Sequence, residues 1–363
     1  MVYRAIGLMS GSSLDGLDIV FVELDDSGGT WQYEVKASTC VEYSAEWLEK
    51  LQAVRTLSAH DYFTLDAEYG RFIGHEVNRF ITDNHLHHKI QLIASHGHTV
   101  FHAPAAGVTV QLGDGATIAA ITGINTVSSL RAMDVALGGQ GAPIVPVGEK
   151  LLWAGYDYFL NIGGIANITI RNGNAFTAFD VCPANRVLNM LALLKGKPYD
   201  PNGALAAAGL VHEELLTALN GLAYYALPKP KALANEFGTD VVYPLIQLYY
   251  LSAEDALRTY AEHIAQQVAL ATMSNGGVTT GKKMLVTGGG AFNSFLLERL
   301  TAHLSKLGIE VIVPEAEVIQ YKEAIIMALL GVLRWREENT VLNSVTGAAR
   351  SSIGGAVWMG QEA

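Results

Sequence analysis

One arrangement occurs twice in this 363-residue chain and limits what it can fold into: a strand, a short turn bearing glycine, and a strand that runs back. Tyr3 to Met9 and Leu17 to Leu24 are apolar, partly β-branched runs on either side of Ser10-Gly11-Ser12-Ser13-Leu14-Asp15-Gly16. Phe159 to Ile162 and Ile165 to Ile170 flank Gly163-Gly164 in the same way. The architecture repeats although the sequence does not. Between the hairpins, Leu65, Tyr69, Phe72, Ile73, Phe80 and Ile81 recur at helical spacing, and a buried strand follows from Leu92 to Ala94. After the second hairpin the pattern predicts helices near 187–194 and 253–273, a strand at 284–287, a helix at 294–307, a strand at 311–313 and a helix from about Glu323. This is α/β alternation in two lobes, each opening with a hairpin, with a ligand cleft expected between them. No linker or low-complexity tract marks the join, so the repeat places it at Leu137-Gly138-Gly139-Gln140-Gly141, giving lobes 1–140 and 141–363.

Charge and composition exclude several classes of function. Twenty-four Lys and Arg against 35 Asp and Glu leave a net charge of −11, which repels a phosphate-covered polymer, so no nucleic-acid partner is expected. Half the residues are hydrophobic and 16% are charged, so the chain folds around a large core rather than remaining disordered. The first residues run into the Ser10 turn without a long apolar segment, and no apolar run spans a bilayer. Neither a secretory signal nor a membrane partner is expected. Cys40 and Cys182 stand apart in no metal-ligand spacing, which fits a reducing cytoplasm.

Glycine is where the chemistry concentrates. Gly and Ser in a tight turn expose successive backbone N–H groups that converge on phosphate oxygens, so an acidic chain binds an anion without a basic patch. The turn from Ser10 to Gly16 adds the hydroxyls of Ser12 and Ser13 and the Asp15 carboxylate, a Mg²⁺ ligand directly or through water. Taken singly, each reads first as an ordinary hairpin turn, Gly163-Gly164 more so than the turn from Ser10 because paired glycines are common in hairpins; their pairing is what sets both apart. A third turn, Thr287-Gly288-Gly289-Gly290, follows a strand and precedes a helix capped by Asn293 or Ser294, so its backbone would pass under a flat ligand such as adenine. Gly276 to Lys283 nearly spells a P-loop, but Lys283 offers no hydroxyl to Mg²⁺ and the order is helix then strand, so it reads as a helix-terminal turn. His96, His98 and His102 read as strand-end residues rather than a metal site.

In combination and in order, these segments resemble the anhydro-N-acetylmuramic acid kinases, a bacterial branch of the actin and sugar-kinase superfamily. The resemblance runs from Gly7-Leu8-Met9-Ser10-Gly11-Ser12-Ser13-Leu14-Asp15-Gly16-Leu17-Asp18 through Ser95-His96-Gly97-His98, Ala136-Leu137-Gly138-Gly139-Gln140-Gly141-Ala142-Pro143, Leu160 to Asn167, Gly288-Gly289-Gly290 with Asn293, Lys322-Glu323-Ala324 and Ser344 to Ala348. It implies a two-lobed actin-like ATPase or sugar-kinase fold with a nucleotide cleft between the lobes, ATP and Mg²⁺ as cofactors, and a homodimer. The implied reaction opens the 1,6-anhydro ring of anhydro-N-acetylmuramic acid with water and phosphorylates the freed 6-oxygen, in cell-wall recycling. Gly11, Ser12, Ser13, Leu14, Asp15, Gly16, Leu17 and Asp18 would hold phosphates and Mg²⁺ (the metal on Asp15), together with Gly163 and Gly164; Gly288, Gly289, Gly290 and Asn293 would lie at the adenosine.

The general base in that family is the Asp of Asp-Thr-Gly-Pro-Gly-Asn, and Asp180 heads the matching segment. That segment departs from the pattern, reading Asp180-Val181-Cys182-Pro183-Ala184-Asn185; Cys182 has no partner base and reads as a buried filler. The sugar would be met by Arg131, Asp134, His96 and Glu323. Met133 stands where the family commonly has a further cation, and Pro230-Lys231-Ala232-Leu233-Ala234-Asn235-Glu236 lacks the family's hydroxyls and Arg. The nucleotide side is intact and the sugar side is partly rewritten, which leaves two alternatives open: a kinase for another anhydrosugar or amino sugar, or an ATP-binding sensor.

Overall fold

The computed structural model describes residues 1–11, 14–173, 175–234, 236–273 and 281–361. Its first strands are β1 (Val2–Ser10), β2 (Leu17–Ser27), β3 (Thr30–Val41), β4 (Leu92–Ala103), β5 (Val108–Leu112) and β6 (Thr126–Ser128). They are followed by β7 (Tyr158–Ile162), β8 (Ile165–Asn172), β9 (Ala175–Pro183), β10 (Lys282–Thr287), β11 (Ile309–Ile312) and β12 (Ala356–Trp358).

Two sheets form with the same internal order. In one, β3, β2 and β1 make an antiparallel meander, β4 joins β1 in parallel, β6 joins β4 in parallel, and β12 closes the edge, with β5 paired to β4. In the other, β9, β8 and β7 make the meander, and β10 and β11 add in parallel beyond β7. Three antiparallel strands followed by parallel strands on the far side of the first is thus built twice. The repeated hairpins of the sequence are β1–β2 and β7–β8.

The chain divides into one compact unit of Met1–Ala154 with Tyr321–Ala363 and another of Gly155–Gln320. This differs from the expected division at 140/141. The segment Pro146–Leu152 is helical and packs on β3, and the C-terminal stretch returns to pair β12 with β6, Ala356 opposite Ser128. Neither contact leaves a local signature in sequence.

In the first unit, Ile6, Leu8, Ile19 and Phe21 of β1 and β2 meet the helix Ala59–Asp83, whose Leu65, Tyr69, Ile73, Val77 and Phe80 form one stripe at three- and four-residue spacing. Ser58 caps that helix, its hydroxyl oxygen accepting from the Asp61 N–H. Each such aliphatic side chain contributes about 1.5–3 kcal/mol by leaving water. From Tyr321 onward the helix Ala316–Trp335 lies against β1 so closely that a Cβ on Gly7 would fall 1.9 Å from the Ala324 carbonyl oxygen, a contact only glycine permits.

In the second unit the helix Ala253–Met273 is buried on most of its circumference, packed with Ala256, Leu257, Ala261, Ile264 and Val268 against the sheet. Its Tyr260 hydroxyl donates to the Pro183 carbonyl at 2.8 Å and fixes the end of β9. Residues 276–280 of the near-P-loop segment lie outside the described residues; Gly281 has φ +86° and β10 begins at Lys282, so a helix precedes and a strand follows. No helix among the described residues is long and apolar enough to cross a membrane.

Candidate active site

In the first unit the polar residues gather around the end of β1. Ser12 and Ser13 lie outside the described residues. Leu14 takes φ +59°, a left-handed conformation that a bulky side chain adopts only where its surroundings enforce it. Its side chain packs against the core of the unit. Ser10, where the turn begins, is anchored by a buried chain: the Tyr43 hydroxyl donates to Ser10 Oγ at 2.7 Å, and Ser10 Oγ lies 3.0 Å from His98 Nδ1. Burial, and next the Arg55 charge, lower the His98 pKa and favour its neutral ring.

The charges of the Asp15, Asp18 and Glu323 carboxylates act on one another here. Burial raises the Asp18 pKa to about 6, a hydrogen bond with Cys40 opposes the rise, and the charges of Asp15 and Glu323 add to it. Glu323 is likewise raised, first by burial and further by Glu149 and Asp15, while Lys322 and Arg131 pull it down. A divalent cation relieves this repulsion, and hard oxygen donors suit Mg²⁺. Among the described residues no three His, Cys, Asp or Glu side chains converge on one coordination point. The arrangement therefore fits an ion held by one or two carboxylates, with water and phosphate oxygens completing its shell.

The Asp18 shift has a measurable consequence. A carboxyl whose folded pKa lies above its unfolded value stabilises the fold fully below the unfolded value, and that contribution is lost as pH rises through about 6. The loss between pH 4 and pH 7 is expected to reach about 2 kcal/mol. Asp18→Asn should remove it, seen as a flatter pH dependence of the urea midpoint; an unchanged profile would rule this account out.

Arg131 is held on two sides. Its Nε donates to His96 Nε2 at 2.9 Å and its Nη1 to the Gly141 carbonyl at 2.6 Å. His96 Nδ1 lies 2.8 Å from the Gly97 carbonyl, so the proton sits on Nδ1 and Nε2 is the acceptor. Burial and the nearby Arg131 charge depress the His96 pKa to about 3, which keeps this tautomer neutral. Burial also lowers Arg131 to about 10, with Glu323 opposing the fall.

His96 and Asp134, expected at the sugar, are both engaged by the protein itself. His96 is buried with both nitrogens engaged and orients Arg131. Asp134 is wholly buried; Oδ2 accepts from the Gly141 N–H at 2.7 Å and Oδ1 from the Thr346 hydroxyl at 2.7 Å. It braces the Gly138–Gly141 loop and the C-terminal Thr346 loop, and through Gly141 it supports Arg131. Thr346, absent from the sequence-based candidates, belongs to this set; its block was visible at Ser344 to Ala348, but its partner lies 212 residues away.

In the second unit the glycine turns come together. A Cβ on Gly288, whose φ is +80°, would lie 2.5 Å from Asn161 Oδ1 and 2.8 Å from the Ile162 carbonyl; one on Gly290 would lie 2.3 Å from Ile162 Cγ2. The Gly288–Gly290 turn is thereby seated on the end of β7, beside Gly163-Gly164. The carbonyls of that pair accept from Asn185 and Ala184, its Gly163 N–H donates to Ile165, and Asn185 Nδ2 donates to Ile162. Asn293 caps the helix Ser294–Leu304, its Oδ1 accepting from the Leu296 N–H at 3.0 Å, as the sequence predicts.

Asp180 lies on β9, half-buried, opposite Asn167. Its Oδ2 accepts the Leu233 N–H at 2.8 Å. Burial raises its pKa above the ordinary carboxylate value and this hydrogen bond partly opposes the rise, which suits a group that takes a proton. Val181, Cys182 and Ala184, the departures from the family pattern, join the core of the unit. Ala184 has φ −130°, so no left-handed glycine is needed there. Burial pushes the Cys182 thiol pKa up and makes it inert, the filler expected.

Two sheets in the same 3-2-1-4 order, each opened by a hairpin with glycine at or beside its turn, define an actin-like ATPase and sugar-kinase architecture. The sequence matches, over residues 3–360, the family model described as anhydro-N-acetylmuramic acid kinase. The chain belongs to this family of carbohydrate kinases. Curated relatives bearing that name include one from Shewanella loihica, 33% identical over 98% of both chains. Another, from Xanthomonas oryzae pv. oryzae, is 37% identical over 97% of this chain and 96% of the relative. A solved ROK family glucokinase from Streptomyces griseus, in complex with glucose and AMPPNP, aligns over 91% of this chain and 99% of that chain with 13% identity and a TM-score of 0.42.

Proposed function

We propose that this chain uses ATP to open the 1,6-anhydro ring of anhydro-N-acetylmuramic acid with water and to phosphorylate the freed 6-oxygen, in the cytoplasm and as a homodimer. The observation that carries this reading is Asp180: a half-buried carboxylate with a raised pKa and one oxygen tied to Leu233 N–H, at the head of the segment that holds the family's base.

In the reaction, Asp180 takes a proton from water as the water oxygen bonds to the anomeric carbon. The bond from that carbon to O6 breaks, and the electron pair leaves on O6. O6 then attacks the γ-phosphorus and ADP departs. Arg131, fixed by His96 and Gly141, and Glu323 beside it position the sugar. Asp15, Asp18 and the turn from Gly11 hold the phosphates and Mg²⁺ in the first unit; Gly163, Gly164 and Gly288 to Gly290 serve the nucleotide in the second. Bound Mg²⁺ would supply charge neutralisation on the phosphate oxygens.

Gly163 tests the nucleotide part without disturbing the fold. A Cβ there meets only the Ile165 carbonyl at 3.5 Å and Asn161 Nδ2 at 3.8 Å, which are ordinary contacts. Gly163→Val is therefore expected to leave the melting temperature nearly unchanged and to weaken Mg-ATP binding roughly tenfold or more, since one lost close contact of about 1.4 kcal/mol is that factor. Calorimetry showing unchanged affinity would remove this turn from the nucleotide site. Absence of any binding to the wild type would exclude the kinase reading. Static light scattering tests the dimer.

Substrate preference is read from a panel of anhydro-N-acetylmuramic acid, its analogue without the lactyl acid, levoglucosan and ordinary hexosamines. Met133, exposed where the family carries a cation, favours good competition by the neutral sugars. ATP binding with no turnover on any member would favour the sensor.

A further inference from the structure

We propose that Lys231 and Tyr224 are positioning residues that clamp Asp180 from the outer edge of its strand; the inference rests on the reading of Asp180 as the base. β9 ends the sheet, so among the described residues only β8 pairs with it through the ladder. That pairing is itself irregular at this point: the register passes from Asn167 opposite Asp180 to Ala166 opposite Cys182, leaving Val181 as a bulge. A bulge re-aims the side chain beside it but also loosens the strand that carries it.

The outer edge supplies what the ladder lacks. The Asp180 N–H donates to the Lys231 carbonyl at 2.9 Å, and the Tyr224 hydroxyl donates to the Asp180 carbonyl at 2.7 Å. Both backbone groups of Asp180 are thus held by two residues seven apart. Those two residues are tied to each other: Lys231 Nζ donates to the carbonyls of Tyr224 at 2.9 Å and Tyr225 at 3.3 Å, and stands 4.3 Å from the centre of the Tyr224 ring. Two residues beyond Lys231, the Leu233 N–H reaches Asp180 Oδ2. The Lys231 ammonium closes a loop whose far end fixes the carboxylate, and Oδ1 is left as the oxygen that receives the proton. Lys231 acts on Asp180 through backbone geometry, since its Nζ bonds carbonyls.

A cavity of about 430 Å³ adjoins the clamp, lined by Phe179, Val181, Leu222, Tyr225, Lys229 and Lys231. It gives a small amine a route to the place Lys231 Nζ would vacate.

Lys231→Ala is expected to lower kcat roughly ten- to a hundredfold, the cost of misplacing a reacting group by about 1 Å, with the KM for ATP unchanged. Ethylammonium should restore part of that loss, and Lys231→Arg, which keeps N–H donors, should retain most of the rate. Tyr224→Phe should lower kcat in the same direction. With the Leu233 contact loosened, the Asp180 pKa should rise, so the acid limb of the kcat profile moves to higher pH. The same rise is expected in the ¹³Cγ titration of Asp180 by NMR, which needs no turnover and so tests the clamp even if Asp180→Asn proves active and the base assignment fails. An unchanged Asp180 titration in Lys231→Ala, whether kcat falls or not, would overturn the proposal. So would a loss of kcat that neither ethylammonium nor Lys231→Arg repairs.

Discussion

Replacing Asp180 with asparagine is expected to lower turnover roughly 10²–10⁴-fold, the usual contribution of a positioned general base. The variant isolates the proton transfer. An asparagine side-chain oxygen still accepts the Leu233 N–H, and the backbone contacts to Lys231 and Tyr224 do not depend on the carboxylate. What the amide lacks is the capacity to take a proton from water. Fold and ATP affinity should therefore survive, measured by circular dichroism and calorimetry beside the rate. In the wild type the base must be ionised, so kcat/KM should fall as pH drops through the Asp180 pKa, which burial sets above 3.8. A variant keeping more than about a tenth of the wild-type rate would remove Asp180 from this role.

The largest effect on stability is expected at Lys322. Its Nζ meets Glu149 Oε1 at 2.5 Å with both side chains almost wholly buried. Such a pair gains little over an apolar one, yet removing one partner leaves a charge in a medium that cannot solvate it. Lys322→Met should thus cost about 3–5 kcal/mol in urea unfolding. Lys322→Met with Glu149→Leu should recover most of that, because no stranded charge remains. Activity should follow, since Lys322 precedes Glu323 on the same helix and the pair fixes the turn that carries it. Additive losses in the double variant would contradict this account.

Local pattern made part of this legible. The hairpins β1–β2 and β7–β8, the helix Ala253–Met273 and the glycine turns were readable because apolar alternation, helical spacing and glycine punctuation are properties of neighbouring residues. The third strand of each meander was not anticipated. β3 is an edge strand whose Gln32, Glu34, Lys36 and Ser38 face solvent at least in part, so its hydrophobic signal is diluted. β9 is interrupted by Thr177 and Asp180 and by the bulge at Val181. Sequence named Arg131, Asp134 and His96 together but not their division of labour. That Asp134 is a brace and His96 an orienting acceptor depends on partners 212 and 35 residues distant. In sequence Lys231 stands only in a block without the family's hydroxyls, and its tie to Asp180 exists only in three dimensions.

Whether one carboxylate activates water while the freed oxygen takes the phosphoryl group is read from the isotope content of the product. The protein is incubated with Mg-ATP and anhydro-N-acetylmuramic acid in ¹⁸O-labelled water, and the product mass and fragments are read. Asp180 as base predicts a product heavier than the anhydrosugar by one water and one phosphoryl group, with ¹⁸O at the anomeric carbon and none in the phosphate ester bridge. A product carrying phosphate without water, or ¹⁸O in the bridge rather than at the anomeric carbon, would contradict it.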